Sequence, residues 1–426
     1  MQNAVGGRRR RELTKSISSK RSIARQIQRR QKTCNLTIMF KFNFDLENDD
    51  IDNETQLEVQ NPREKAPEAS SSDSHKTSIA FREHSLETLL GDLPNVLSFS
   101  PITVPLWDGQ TTTLSRRDLF DAKFQLIQQD SSEPATEGST DKAPTDIDFL
   151  EAPSDLVPGV YEGGLKTWEC SLDLVGCLND MFDNNALNGK RILEVGCGTA
   201  IPSVYILNKI FSFPPFAVET VVHLQDYNDL VFRLVTFPNV VLAWYMSPAS
   251  ASFREANPPD PNDDETDSFP SSDPKEQGDL PITPTLKTAF LESLKQYNIT
   301  LRFFSDSWET FNLKTSGGKY DIILTSETIY QMDSLPSLVK LLYHASLGDE
   351  EDSLVKDTQA KLSISETERS YLCLVAAKFV YFGVGGGVID FIQAVEEDPK
   401  RRKGKAETVW EKKEGVKRSV MKVTWL

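Results

Sequence analysis

The most constraining feature of the chain is Ile192-Leu193-Glu194-Val195-Gly196-Cys197-Gly198-Thr199-Ala200. An apolar run of strand length ends in Gly-x-Gly and opens into a stretch, 202–210, that reads as a helix. The two glycines permit a tight turn and let the backbone approach a ligand closely. The third glycine of a dinucleotide fingerprint is absent, because Ile201-Pro202 follow Ala200. Pro202 suits the first turn of a helix. A glycine pair alone also describes a plain strand-to-helix turn with an exposed acid. The acid at position 194, inside the strand, points further. Such a carboxylate can accept hydrogen bonds from an amino-acid ammonium, directly or through water.

The text around this turn alternates between strand and helix patterns. Residues 168–181 read as a helix with an apolar side, 221–225 as a second strand, and 230–236 as a second helix. Residues 240–244 read as a third strand, followed by a polar insert at 248–282 expected to be a solvated loop. Further helices are expected at 286–296, 335–345 and 388–396, and further strands at 300–304, 321–325 and 371–376. The segments 408–411 and 420–425 read as a terminal antiparallel pair. The expected fold is α/β: a mostly parallel sheet covered by helices on both faces, ending in a hairpin. A ligand then sits at the C-terminal strand edge, near the first glycine turn.

Charge divides the chain. Lys and Arg number 47 against 63 Asp and Glu, a net charge of -16. That balance argues against a protein that coats nucleic acid. Residues 1–38 run the other way, with eleven Lys and Arg against the single acid Glu12. This basic extension reads as a transit peptide, a nuclear-localisation run, or an upstream extension of a gene model that starts at Met39; the last is preferred. The domain plan is 1–38 basic extension, 39–82 acidic disordered segment, 83–150 accessory elements and linker, and 151–426 main domain. Polar inserts interrupt the main domain at 248–282 and 349–368. The five cysteines show no paired spacing, which favours reducing conditions. No run of 18 apolar residues signals a membrane span. His75, His84, His223 and His344 do not form a metal-spaced set, so no metal is expected.

The second strand ends in Gln225-Asp226-Tyr227-Asn228. A carboxylate there can accept hydrogen bonds from both hydroxyls of a ribose; the alternative is a helix cap. Other blocks narrow the reading. They are Arg116-Arg117-Asp118-Leu119-Phe120-Asp121, the Gly163-Gly164-Leu165-Lys166-Thr167-Trp168-Glu169-Cys170 stretch, Ser326-Glu327-Thr328-Ile329-Tyr330, and Ala377 to Gly387 with its run of glycines. Together and in this order they resemble the eukaryotic histidine protein methyltransferases. That family lies within the seven-β-strand, S-adenosylmethionine-dependent enzymes and carries an acid-x-x-aromatic motif, here Glu327-Thr328-Ile329-Tyr330. The likeness covers about residues 84–426, apart from the two inserts.

The resemblance implies a Rossmann-like methyltransferase sheet, S-adenosylmethionine as cofactor and no metal. It also implies methyl transfer to the tele ring nitrogen of a histidine in a large-subunit ribosomal protein. Neutral imidazole is a competent nucleophile near pH 7, so no strong catalytic base is required. Glu327 is expected to accept the hydrogen bond of the non-reacting ring N–H, and Tyr330 to pack against or bond to the substrate ring. Cofactor contacts are expected from Trp168, Glu194, Gly196, Gly198, Asp226, Asn228, Trp308 and Ser326. Relatives often carry Gly-Asp-Trp where this chain has Ser305-Asp306-Ser307-Trp308, which leaves the adenine side less defined. Lys378, Tyr381 and Gly385 are expected to shape the substrate mouth; the bland alternative is a glycine-rich turn with a solvated lysine. The expected partner is a basic protein, met by a monomer in cytoplasm and nucleus without nucleic-acid reading or a membrane. Rival readings are a protein-lysine methyltransferase of the sister family and a non-catalytic module that binds a ribosomal protein.

Overall fold

The computed structural model describes residues 81–130, 163–183, 186–258, 269–348, 371–381, 385–397 and 403–426. The basic extension 1–38, nearly all of the acidic segment 39–82, the linker beyond residue 130, residues 159–162 and the insert 349–368 lie outside the described residues. So do residues 382–384 of the glycine-rich block.

In chain order the elements begin with β1 Arg82–His84, α1 Leu86–Asp92, β2 Val96–Pro105, β3 Thr111–Arg117, α2 Leu119–Asp130 and α3 Glu169–Met181. Next come β4 Arg191–Val195, α4 Ile201–Phe211, β5 Thr220–Asp226 and a π-helical turn, Phe232–Thr236, that runs into α5 Phe237–Tyr245. Then follow α6 Ala251–Ala256, β6 Gly278–Pro281, α7 Pro284–Gln296, β7 Ile299–Ser305, α8 Leu313–Ser316, β8 Ile322–Ser326 and α9 Leu335–Leu347. The chain closes with β9 Leu372–Lys378, α10 Val388–Glu396, β10 Gly404–Lys412 and β11 Arg418–Trp425.

The main sheet has the order β1-β7-β5-β4-β8-β9-β11-β10. The five strands from β7 to β9 are parallel, and β11 and β10 form the expected antiparallel end. Central strands read as apolar runs because helices cover both faces; all seven residues of β5 are buried. From β4 the chain winds outward through β5 and β7, then crosses to β8 and β9 on the other side. The strand order therefore reverses between β4 and β8. A crevice at the carboxyl ends of the strands follows from that reversal. The sheet is the Rossmann-like methyltransferase sheet expected from sequence, with one strand more than seven. The addition is β1, which pairs antiparallel with β7 at the edge.

Two expectations are corrected. Residues 240–244 are not a strand but part of α5. Every residue of α5 is buried, and a short apolar run buried on all sides looks the same in either period. The insert at 248–282 is not wholly a solvated loop. It contains α6, and β6 pairs with β2 to complete a second, antiparallel sheet of order β3-β2-β6. Leu280 is its buried anchor; one apolar residue among acids and prolines gave no period to read. The accessory residues thus contribute both to the main sheet and to this second sheet.

Candidate active site

The turn after β4 is held by close approach. Gly196 and Gly198 have φ of 63° and 47°, in the left-handed region where side chains are rarely tolerated. A Cβ on Gly196 would collide with Thr328 Cγ2, and one on Gly198 would lie 2.9 Å from the Gly164 carbonyl oxygen. The Gly163-Gly164 stretch therefore lies against the turn, and the Thr167 hydroxyl donates to Thr199 Oγ1 at 3.0 Å. Asp226, at the end of β5, closes the loop: its Oδ2 accepts from the Gly198 N–H at 2.8 Å and its Oδ1 from the Asn228 N–H at 3.0 Å.

Glu194, expected at the amino-acid end of the cofactor, is engaged at one oxygen by the following helix. It is fully buried, and its Oε2 accepts from the Ser203 N–H at 3.0 Å and from the Ser203 hydroxyl. The carboxylate fastens the start of α4, and burial pushes its pKa up to about 8. Asn228 accepts from the Leu230 N–H at 3.1 Å, while its buried Nδ2 has no hydrogen-bond partner among the described residues. The Trp308 indole donates to Gln225 Oε1 at 2.9 Å, and Gln225 Nε2 donates to the Asp306 carbonyl at 2.9 Å. Trp308 is thus tied to the second strand. Ser326 ends β8 half-buried.

S-adenosylmethionine fits these residues. The glycine turn admits close backbone approach, and the amide of Asn228 is a donor without a partner among the described residues. The Asp226 carboxylate can accept more hydrogen bonds than those from Gly198 and Asn228 alone. Asp226 and Asn228 would hold the ribose, and the glycine turn the amino-acid end.

A second cluster forms at the ends of β8 and β9. Ser326 and Ala376 are in register, and the Glu327 N–H donates to the Ala376 carbonyl at 3.0 Å. Glu327 has φ of 58°, a rare conformation for a non-glycine residue and one that often marks a functional position. Its carboxylate is 9% exposed. Oε2 accepts from the Tyr381 hydroxyl at 2.7 Å. Oε1 lies 3.6 Å from Lys378 Nζ and accepts no N–H or O–H bond among the described residues, with the Cys170 thiol also beside the carboxylate. Lys378 Nζ is also 3.4 Å from Glu169 Oε2 and stands 4.6 Å from the centroid of the Trp168 ring. The Tyr381 hydroxyl, buried beside Glu327, has its pKa pushed well above the ordinary phenol value, by burial first and then by that carboxylate. The Cys170 thiol is raised for the same two reasons.

Trp168 therefore stands over Lys378, and Lys378 is ion-paired rather than a solvated surface lysine. Tyr330 lies beside this cluster, its ring 6.1 Å from that of Tyr381. Its carbonyl accepts from the Gly386 N–H at 3.0 Å. Gly385, with φ of 100°, has open space where a side chain would stand. Sequence reasoning missed Glu169, Ser203, Gln225 and Thr328. Glu169 stood in a quoted block, yet only the fold shows that it shares a lysine with Glu327. Among the described residues no group of three or more His, Cys, Asp or Glu is arranged to hold a metal ion, and no helix is long and apolar enough to cross a membrane.

Comparison with known proteins gives a consistent family. The chain is 34% identical over 354 residues to histidine protein methyltransferase 1 of Schizosaccharomyces pombe, covering 79% of this chain and 86% of that protein. It is 31% identical over 315 residues to histidine protein methyltransferase 1 of Saccharomyces cerevisiae, covering 72% and 74%. A Bos taurus homolog is 32% identical over 277 residues, covering 64% and 58%. No family model matches the chain. Among solved structures, a ribosomal protein L11 methylase from Lactobacillus delbrueckii shares 11% identity at a TM-score of 0.26, over 62% of this chain and 83% of that one. So low a score carries no weight, and the assignment stands on the sequence relatives. The chain belongs to the histidine protein methyltransferases, S-adenosylmethionine-dependent enzymes that methylate histidine in proteins.

Proposed function

We propose that this enzyme methylates the tele nitrogen of a histidine in a large-subunit ribosomal protein, with Glu327 as the residue that holds the ring. The observation that carries the reading is the Glu327 carboxylate. Its side chain is only 9% exposed, held in a left-handed backbone conformation, and fixed at one oxygen by Tyr381, while the other accepts no N–H or O–H bond among the described residues. It also stands at the same strand edge as the glycine turn.

Bound S-adenosylmethionine supplies an electrophilic methyl group on a sulfonium sulfur. Glu327 accepts the pros N–H of the substrate imidazole, which selects the tautomer whose tele lone pair is free to attack. Transfer would break the methyl–sulfur bond, leave a neutral thioether and make the ring cationic, and the adjacent carboxylate would stabilise that charge in a half-dry site. Glu327 then receives the pros proton, which leaves the methylated ring neutral. Tyr381 keeps the carboxylate in place through this sequence, and Tyr330 borders the ring. Positioning supplies most of the acceleration, because neutral imidazole is already nucleophilic.

A net charge of -16 suits an enzyme that meets a basic ribosomal protein, since opposite charge speeds encounter. The same reading has the enzyme acting as a monomer in cytoplasm and nucleus. The test is transfer of labelled methyl from S-adenosylmethionine to extracted large-subunit ribosomal proteins. Mass spectrometry of the labelled peptide and comparison with tele- and pros-methylhistidine standards then identify the product. The expected product is tele-methylhistidine in one protein, absent with Asp226→Ala. Label on lysine, on the pros nitrogen, or on no ribosomal protein would overturn the proposal.

A further inference from the structure

Two carboxylates, Glu327 and Glu169, and the face of Trp168 surround one position at the end of β9. This combination is a receptor for an ammonium group. Opposite charge attracts it, and an indole face adds a cation–π contribution that grows as the site dries. A methyltransferase that offered the box to its substrate would select lysine. In this chain the box is already filled. Lys378 Nζ lies 3.4 Å from Glu169 Oε2, 3.6 Å from Glu327 Oε1 and 4.6 Å from the Trp168 centroid, and its side chain is only 17% exposed.

We propose that Lys378 is a specificity-determining residue that selects histidine over lysine by occupying the cation box with the enzyme's own ammonium. A substrate lysine brought to Glu327 meets a like charge already in place, which costs it the pairing it needs. A neutral imidazole meets no such repulsion. It needs only an acceptor for one N–H, and Glu327 keeps lone pairs for that while paired with Lys378. The acid-x-x-aromatic motif alone does not distinguish a lysine enzyme from a histidine enzyme, whereas the filling of the box does. The inference deepens the proposed function and rests on Glu327 as the residue facing the substrate.

Two measurements test it. The first needs no turnover. Methylammonium chloride is titrated into the wild type and into Lys378→Met and Lys378→Arg, with the indole N–H of Trp168 followed by NMR and assigned through Trp168→Phe. Lys378→Met should show saturable shifts, while the wild type and Lys378→Arg stay silent. The second compares methylation of a peptide centred on the modified histidine with the same peptide carrying lysine there. Lys378→Met should lower the histidine-to-lysine ratio of kcat/KM at least tenfold, and Lys378→Arg should restore it. Cofactor affinity, read by calorimetry, confirms that each variant is folded. The inference is overturned if Lys378→Met binds no methylammonium at Trp168, or if its histidine-to-lysine ratio is unchanged. If the wild type labels no histidine, the proposed function fails while the methylammonium titration still decides the inference.

Discussion

The two ends of the crevice are built in opposite ways. Around the glycine turn, polar side chains are engaged by nearby backbone. Asp226 is bound by Gly198 and Asn228 N–H groups, and Glu194 by Ser203, nine residues further on. Around Glu327 the side chains hold one another. Tyr381, Lys378, Glu169 and Trp168 arrive from β9 and the start of α3 to meet a residue that ends β8. The first arrangement is a cradle fixed largely by backbone, with the Asn228 amide left to donate, suited to a cofactor that is the same in every turnover. The second keeps a carboxylate balanced by a lysine with acceptor capacity left over, suited to a ring that arrives and leaves. Backbone approach governs the first end, and charge balance the second.

Substitutions that attack one end should therefore leave the other legible. The largest effect is expected at the cradle. Gly196→Ala places a methyl group against Thr328 Cγ2 at a positive φ. It should cost about 3 to 4 kcal/mol of stability and abolish cofactor binding, read by urea denaturation and calorimetry. Native affinity in that variant would show that the close approach is dispensable.

Glu194→Gln probes how dry the cradle is. The buried acid titrates at about 8 when folded, against an ordinary value of 4.5. The fold thus prefers the protonated form. That stabilisation is fully present below pH 4.5 and is lost as pH rises through 8. Between pH 5 and pH 8 the wild type should lose about 3 to 4 kcal/mol relative to Glu194→Gln. Urea midpoints at the two pH values measure the difference, and parallel pH profiles would contradict the burial argument.

The smallest effect belongs to the substrate end. Tyr381→Phe removes the donor to Glu327 Oε2 and should lower kcat about fivefold, roughly 1 kcal/mol. The dissociation constant for S-adenosylmethionine should not move. A matching loss of cofactor affinity would mean that the two ends are not separate.

The same contrast explains what could be read from sequence. The strand, turn and helix from Ile192 onward are local, so residue order displayed them, and Asp226 followed from its place at the end of the next strand. The acid-x-x-aromatic block marked Glu327 in the same way. The acid inside the strand, Glu194, was likewise visible, but its bond to Ser203 was not, because a strand pattern does not say which neighbour a long side chain will join. The ion-pair triad was illegible for a different reason. Glu169 and Lys378 stand at opposite ends of the main domain's sequence, and only the pairing of β8 with β9 beside α3 brings them together. Residues 240–244 and 278–281 failed through composition. One is apolar on every side and the other has a single buried anchor, so neither carries a period that separates helix, strand and loop.

The most direct test is a single turnover of Glu327→Gln at saturating S-adenosylmethionine, with the acceptor histidine peptide and the wild type alongside. The account predicts unchanged cofactor affinity and methyl transfer slower by about 10²- to 10³-fold, roughly 3 to 4 kcal/mol of lost transition-state stabilisation. Transfer at the wild-type rate, or a loss explained entirely by weaker cofactor binding, would contradict it.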